Sequence, residues 1–236
     1  MDQQVLDAMK RWPNVPDVIG WLRLDRRGHW LLIDRNAPGF DEAVDGRGSP
    51  ITNEQIVAFI GRNYASTDDG RWYWQNGPQR AFAELDLAPW IVRVTEDGDG
   101  RQGLVTQTGL ACEDVRSWHV DAQGVLYAAT EHGPCAVHDL DLGSLDVELE
   151  EEDGVDGGRD DGGSEGAQRP GIDPESWDAN RGDGNPGDAN RRDRNRGALS
   201  GRIVWNGRPH RLAPAAPLLA HVVLSPLAAS RRHPQR

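Results

Sequence analysis

The stretch 146–197 holds almost no large apolar side chains, and this constrains the fold more than any other feature of the sequence. It opens on the acidic run 148–153 and continues in Gly, Asp, Asn and Arg, with 16 Asp or Glu against 7 Arg, a net −9 of the chain's −12. Such a composition buries too little to offset the entropy of ordering a backbone, so 146–197 is expected to be a disordered acidic Gly/Asp-rich insertion. The strand-forming run GRIVWNGRPHRL follows it, which places the segment inside a domain, where lengthening a surface loop adds little closure entropy. One β-rich globular domain must then be built from 1–145 together with 198–225, leaving 226–236 as a flexible tail.

Outside the insertion the charge is only −3, so no fixed basic face for nucleic acid is expected. Cys112 and Cys135 are the only cysteines, too few for a disulfide framework. The apolar run 213–229 is short for a membrane span and is broken by Pro217, His221 and Pro226, so it reads as strand and loop, with no membrane partner. MDQQVLDAMKRW lacks the basic start and apolar core of a signal peptide, and a cytoplasmic location is the expectation.

The fold class expected is α+β. Val5, Leu6, Met9 and Trp12 recur at helical spacing and predict a helix over about 2–12; Ile56, Phe59 and Ile60, behind a Thr52 or Asn53 cap, predict a second over 52–64. Asp25-Arg-Arg-Gly28 marks a hairpin turn. RWYWQ, AFAEL, WIVRV, GLVTQT, SWHVD, VLYAA, CAVHDL, RIVWN and HRLA read as short strands bounded by turn residues. They predict an antiparallel, meander-like sheet with the two helices at its edge or on one face.

GRWYWQNGPQRAFAELDL (70–87) and GVLYAATEHGPCAVHDLDL (124–142) share a glycine, a tyrosine three residues on, a Gly-Pro pair and a closing Leu-Asp-Leu. They are either copies of one unit or hairpins converging on the same turn chemistry. In both readings Gly77-Pro78 and Gly133-Pro134 mark turns.

WPNVP at 12–16, Asn63-Tyr64 and QNGPQ at 75–79 together resemble a family of uncharacterised betaproteobacterial proteins, a domain of unknown function, best over 1–145 and more weakly over 200–225. The resemblance implies a bacterial cytoplasmic protein and carries no activity and no functional residue with it.

His132-x-x-Cys135-x-x-His138 offers imidazole and thiolate, which suit zinc; a nucleophile reading takes Cys135 or Cys112 with His138, His132 or His119 as base. Against both, residues three apart on a strand point to opposite faces. The reading preferred is a turn and strand, with no metal and no catalytic residue. Asp178 to Asn185 resembles a calcium loop but lacks the closing carboxylate, since position twelve is Ala189. Of nine tryptophans, Trp21, Trp30, Trp72 or Trp74, and Trp90 are expected to form the core of a small sheet under helix 52–64. The binding surface is placed at Asn63, Tyr64, Trp74, Gln75, Asn76, Gln79 and Arg80, a polar group close in sequence to those rings. No phosphate loop, dinucleotide fingerprint, serine elbow or zinc-protease motif occurs. The function expected is noncatalytic binding, with a protein considered as the partner and no cofactor; the alternative is a small metal or cysteine enzyme using His132, Cys135 and His138.

Overall fold

The structure is a computed structural model that describes residues 1–151 and 199–228. Five hairpins in it share one turn chemistry. At 25–29, 67–71, 97–101, 106–110 and 121–125 the first residue's carbonyl accepts from the amide of a glycine three positions on, and its own amide donates to the carbonyl of the fifth residue. Each glycine has φ between +77° and +85°, backbone that costs glycine nothing and closes the hairpin with a bulge. Asp25, Asp97 and Asp121 each turn one carboxylate oxygen onto two amides of their own loop at 2.8–3.0 Å, which is why aspartate opens three of the five.

These turns connect two sheets of the same design. Strands β1 (Val18–Leu24), β2 (Trp30–Leu32), β3 (Ser49–Pro50), β4 (Tyr64–Ser66), β5 (Trp72–Asn76) and β6 (Gln79–Leu85) lie in the order β3-β2-β1-β6-β5-β4. The next six, β7 (Trp90–Glu96), β8 (Gln102–Thr106), β9 (Ala111–Cys112), β10 (Val115–Val120), β11 (Leu126–Thr130) and β12 (Gly133–Val137), repeat it as β9-β8-β7-β12-β11-β10. In each unit the first and sixth strands pair in parallel at the centre, Leu24 beside Leu85 and Val92 beside Val137. The following amide extends both pairs, Asp86 donating to the Leu24 carbonyl at 3.1 Å and His138 to that of Val92 at 2.9 Å.

Duplication is therefore present as topology, and Gly70 and Tyr73 take the places of Gly124 and Tyr127, but the Gly-Pro pairs that suggested it do not correspond. Gly77-Pro78 is the β5–β6 turn, whereas Glu131-His132 is the β11–β12 turn and Gly133-Pro134 opens β12. Thr130 Oγ1 closes that turn early, accepting from the His132 amide and donating to the Gly133 carbonyl, both at 3.1 Å.

The single antiparallel meander is corrected as well: both sheets are mixed. Beyond β10 the second sheet continues through β15 (Arg208–Pro214), β14 (Leu199–Trp205) and β13 (Asp146–Glu151), with β10 and β15 a third parallel pair. Alternation and turn residues report hairpins between neighbours; parallel partners are distant in sequence and leave no local signal. β13 also moves the start of the expected insertion, since 146–151 pairs with β14 residue for residue. Its Glu148 sits on an edge strand, in solvent, against Arg202 at 2.6 Å, so acidity there does not prevent a strand. The rest of the insertion and the calcium-loop resemblance lie outside the described residues.

Helices α1 (Gln3–Arg11) and α3 (Glu54–Arg62) stand where expected, and Asn53 Oδ1 caps α3 by accepting from Gln55 and Ile56 amides at 2.9 and 3.2 Å. Helix α3 links β3 to β4; in the second repeat two residues, Glu113 and Asp114, make that link. The one-turn α2 (Glu42–Asp45), a 3-10 helix (Asp139–Ser144) and α4 (Ala215–Leu219) are too short to show periodicity in the sequence. Among the described residues no helix is long and apolar enough to cross a membrane.

Tryptophans hold the repeats together. The Tyr64 ring lies 5.0–5.2 Å from Trp30, Trp72 and Trp90, and Trp72 meets Trp90 at 5.3 Å, joining the first sheet to the opening residue of β7. Phe59 of α3 stands edge-on to Trp74 at 5.9 Å. Trp21 does not join this core: Leu22 takes the inner face at 2% exposure, which leaves Trp21 39% exposed on the other. After α4 the chain returns as a strap across the first repeat. Val223 donates to the Gly70 carbonyl at 2.9 Å, Leu85 to that of Leu224 at 2.8 Å, and Leu227 to Glu84 Oε1 at 2.9 Å. Pro226, buried, and Leu227, half-buried, fall in the stretch expected as a free tail, so the packed chain runs past 225; 229–236 lie outside the described residues.

Candidate functional site

The histidine and cysteine positions that drew attention in the sequence are separated by the strand that carries them. His132 lies in the turn, its Nε2 2.9 Å from the Ala111 carbonyl. Cys135 is fully buried in β12 beside Thr130 Oγ1 at 3.4 Å. The hydrogen bond it shares with Cys112, together with burial, pushes its thiol pKa far up, away from the thiolate a nucleophile needs. His138 comes after the strand ends, buried, its Nδ1 accepting from the Leu140 amide at 3.1 Å to start the 3-10 helix. Among the described residues no three His, Cys, Asp or Glu side chains gather closely enough to hold a metal ion.

The expected binding surface is divided in the same way. Asn63, Tyr64 and Gln75 are buried. Asn63 accepts from the Asp2 amide at 2.7 Å and donates to the Phe59 carbonyl at 2.9 Å, so it ties α1 to the end of α3. Gln75 donates to the Gly77 carbonyl at 2.9 Å. Trp74 is half-buried under Phe59, while Asn76 is exposed and Gln79 and Arg80 are half-exposed. Strand alternation explains the split: residues adjacent in sequence cannot all share one face.

What the fold does bring together is a cleft of about 650 Å³ where the repeats meet, at the ends of β1, β6 and β12. Four arginines line it: Arg23, Arg26, Arg27 and Arg47. Arg23 is spent on Asp86, at 2.6 and 2.7 Å, and on the Gly46 carbonyl at 3.2 Å. Arg27 crosses to the second repeat and grips Asp139 Oδ2 at 2.6 and 3.1 Å, which holds that carboxyl below its usual range. Arg26 and Arg47 are exposed and take part in no ion pair or side-chain hydrogen bond among the described residues. Burial and the Asp121 carboxylate raise the pKa of the Tyr127 phenol, and the positive charge of Arg26 partly offsets this across the cleft. The Asp25 carboxylate is occupied by the amides of its turn and by His29 Nδ1 at 2.9 Å. Leu31, Leu87, Val125 and Leu142 supply apolar wall. Chemically the site offers two uncommitted guanidinium groups above an apolar floor. Sequence reasoning missed it because the sequence shows the 25–28 turn only as a hairpin; the available signal was a pair of arginines at positions the turn leaves free.

Two solved structures are similar to the chain. One is a DUF1285 family protein from Shewanella baltica OS155, 10% identical, covering 53% of this chain and 89% of that one with a TM-score of 0.37. The other is a DUF1285 family protein from Silicibacter pomeroyi DSS-3, 18% identical, covering 63% and 87% with a TM-score of 0.38. No curated protein matches the sequence. Over residues 1–175 the sequence matches a family model, and the chain belongs to that family, DUF2944, described as "Protein of unknown function (DUF2946)".

Proposed function

We propose that the protein is a noncatalytic binding protein of the bacterial cytoplasm, and that it holds its ligand in the cleft between the two repeats. The observation that carries this reading is the pair of arginines, Arg26 and Arg47, that line a cleft of small-molecule size without partners of their own. The two free, buried cysteines support a reducing compartment. The rival enzyme reading asks for a reactive thiol, and the burial of Cys135 speaks against it.

Gln123 is exposed at the rim of the cleft, on the turn that faces Arg26 from the second repeat. Replacing it with tryptophan narrows the mouth without touching the core. In a thermal-shift screen of small organic acids, phosphate esters, amines and neutral metabolites, compounds that stabilise the native protein are expected to lose their effect on Gln123→Trp while its unliganded melting temperature stays the same. If every stabilising compound acts equally on both proteins, the cleft is not the site. A thiol reagent at neutral pH on the Cys112→Ser variant checks the rival: Cys135 is expected to react only on unfolding, and its rapid labelling in the native protein would favour the enzyme.

A further inference from the structure

We propose that the ligand carries one anionic head, a carboxylate or a phosphate, on an apolar body, with Arg26 and Arg47 gripping the head. This rests on the reading of the cleft as a ligand site. The turn that carries Arg26 needs only Asp25 and Gly28. At the same two central positions the other four Gly-closed turns of this frame have Asp-Asp at 68–69, Gly-Asp at 98–99, Gln-Thr at 107–108 and Ala-Gln at 122–123. Nothing in the hairpin therefore asks for arginine at 26, and in a chain of net charge −12 its side chain forgoes every nearby carboxylate.

Arg47 is placed with similar care by its neighbours. The Gly46 carbonyl accepts from Arg23, and Gly48 has φ +81° with room for no side chain, since a Cβ would lie 2.8 Å from Ile33 Cγ1 and the Leu32 carbonyl. The backbone is thus held to Arg23 of β1 on one side of Arg47 and against the end of β2 on the other, while its guanidinium has nothing to hold. The two carboxylates of the cleft that could neutralise it, Asp86 and Asp139, are taken by Arg23 and Arg27. Guanidinium forks match carboxylate and phosphate oxygens two at a time, which an ammonium cannot do. Leu31, Leu87, Val125 and Leu142 then suit an apolar body better than a fully polar one.

Calorimetric titration at low salt with octanoate, octyl phosphate, octylammonium and octan-1-ol tests this. One of the two anions is expected to bind saturably, one per chain, and at least tenfold tighter than the amine or the alcohol; the tighter of the two identifies the head. The Arg26→Ala/Arg47→Ala double variant should lose at least tenfold, and the Arg26→Lys/Arg47→Lys variant should lose several-fold although its charge is unchanged. Both side chains are exposed, so the melting temperature is expected to hold in each. Absence of saturable anion binding, or equal binding by the double alanine variant, overturns the proposal. If the amine or the alcohol binds best and Gln123→Trp abolishes it, the cleft stands as a ligand site and only the anionic head is wrong.

Discussion

The two repeats have one strand order and two different fates. In the first, the β2–β3 connection swells into 33–48, α3 links β3 to β4, and the C-terminal strap lies over the β4–β5 turn. In the second the same connections are a tight turn and two residues, and the growth is at the other side, where β15, β14 and β13 extend the sheet. The enlarged 33–48 connection of the first repeat brings Arg47 to the junction, where the β1–β2 turn carries Arg26, and the β10–β11 turn of the second supplies part of the facing wall. The difference teaches that the repeated strands and turns provide the frame, and that the site comes from what differs on it, the arginines of one shared turn and one enlarged connection.

The largest expected effect concerns the joint. Trp90 belongs to the second repeat yet packs on Tyr64 and Trp72 of the first, so Trp90→Ala is expected to cost about 4 kcal/mol and to show in denaturant unfolding as a lower midpoint. Were the two repeats to melt separately in that variant, the joint alone would be what makes them one cooperative unit.

A smaller effect separates equivalent turns. Gly70 and Gly124 close the same hairpin frame, with φ +82° and +79°. A Cβ on Gly70 would overlap the His221 carbonyl of the strap, while one on Gly124 would meet nothing within 4 Å. Gly124→Ala then carries only the left-handed backbone penalty, about 1 kcal/mol, whereas Gly70→Ala must also displace the strap and should lose about 3 kcal/mol. Equal losses by thermal melting would mean that the strap contributes little to the first repeat.

The smallest effect is on acid stability. The Arg93 guanidinium, at 2.6 and 2.8 Å, holds the Asp141 carboxyl below its ordinary value in the folded protein, and Arg27 does the same for Asp139. A depressed folded pKa contributes stability above the unfolded value, about 3.9, and that contribution is lost as pH falls through the folded one. Stability should therefore decline from about pH 4 downward, and Asp141→Asn should make that decline shallower when urea midpoints are compared from pH 5 to pH 2. An unchanged slope would remove Asp141 from the account.

Much of the local structure was legible. Strand runs such as RWYWQ and WIVRV, the Asn53 cap and the Asp25-to-Gly28 turn are decided by side-chain periodicity and backbone preference within a few residues, and the structure has them at those places. The same locality misled where neighbours in sequence part in space. Asn63, Tyr64 and Gln75 went inside while Asn76 stayed out, and His132, Cys135 and His138 took a turn, a core position and a strand end.

By itself, then, the sequence determined most of the strands, the two longer helices and most of the tryptophan core, because alternation, capping and turn chemistry act over short distances. Only the tertiary structure decided which strands pair in parallel, that the two six-strand units share one order, and that Arg26 and Arg47, twenty-one positions apart, line one cleft. Those outcomes depend on how whole sheets bury their faces against each other, and burial of that kind couples residues with no periodic relation along the chain.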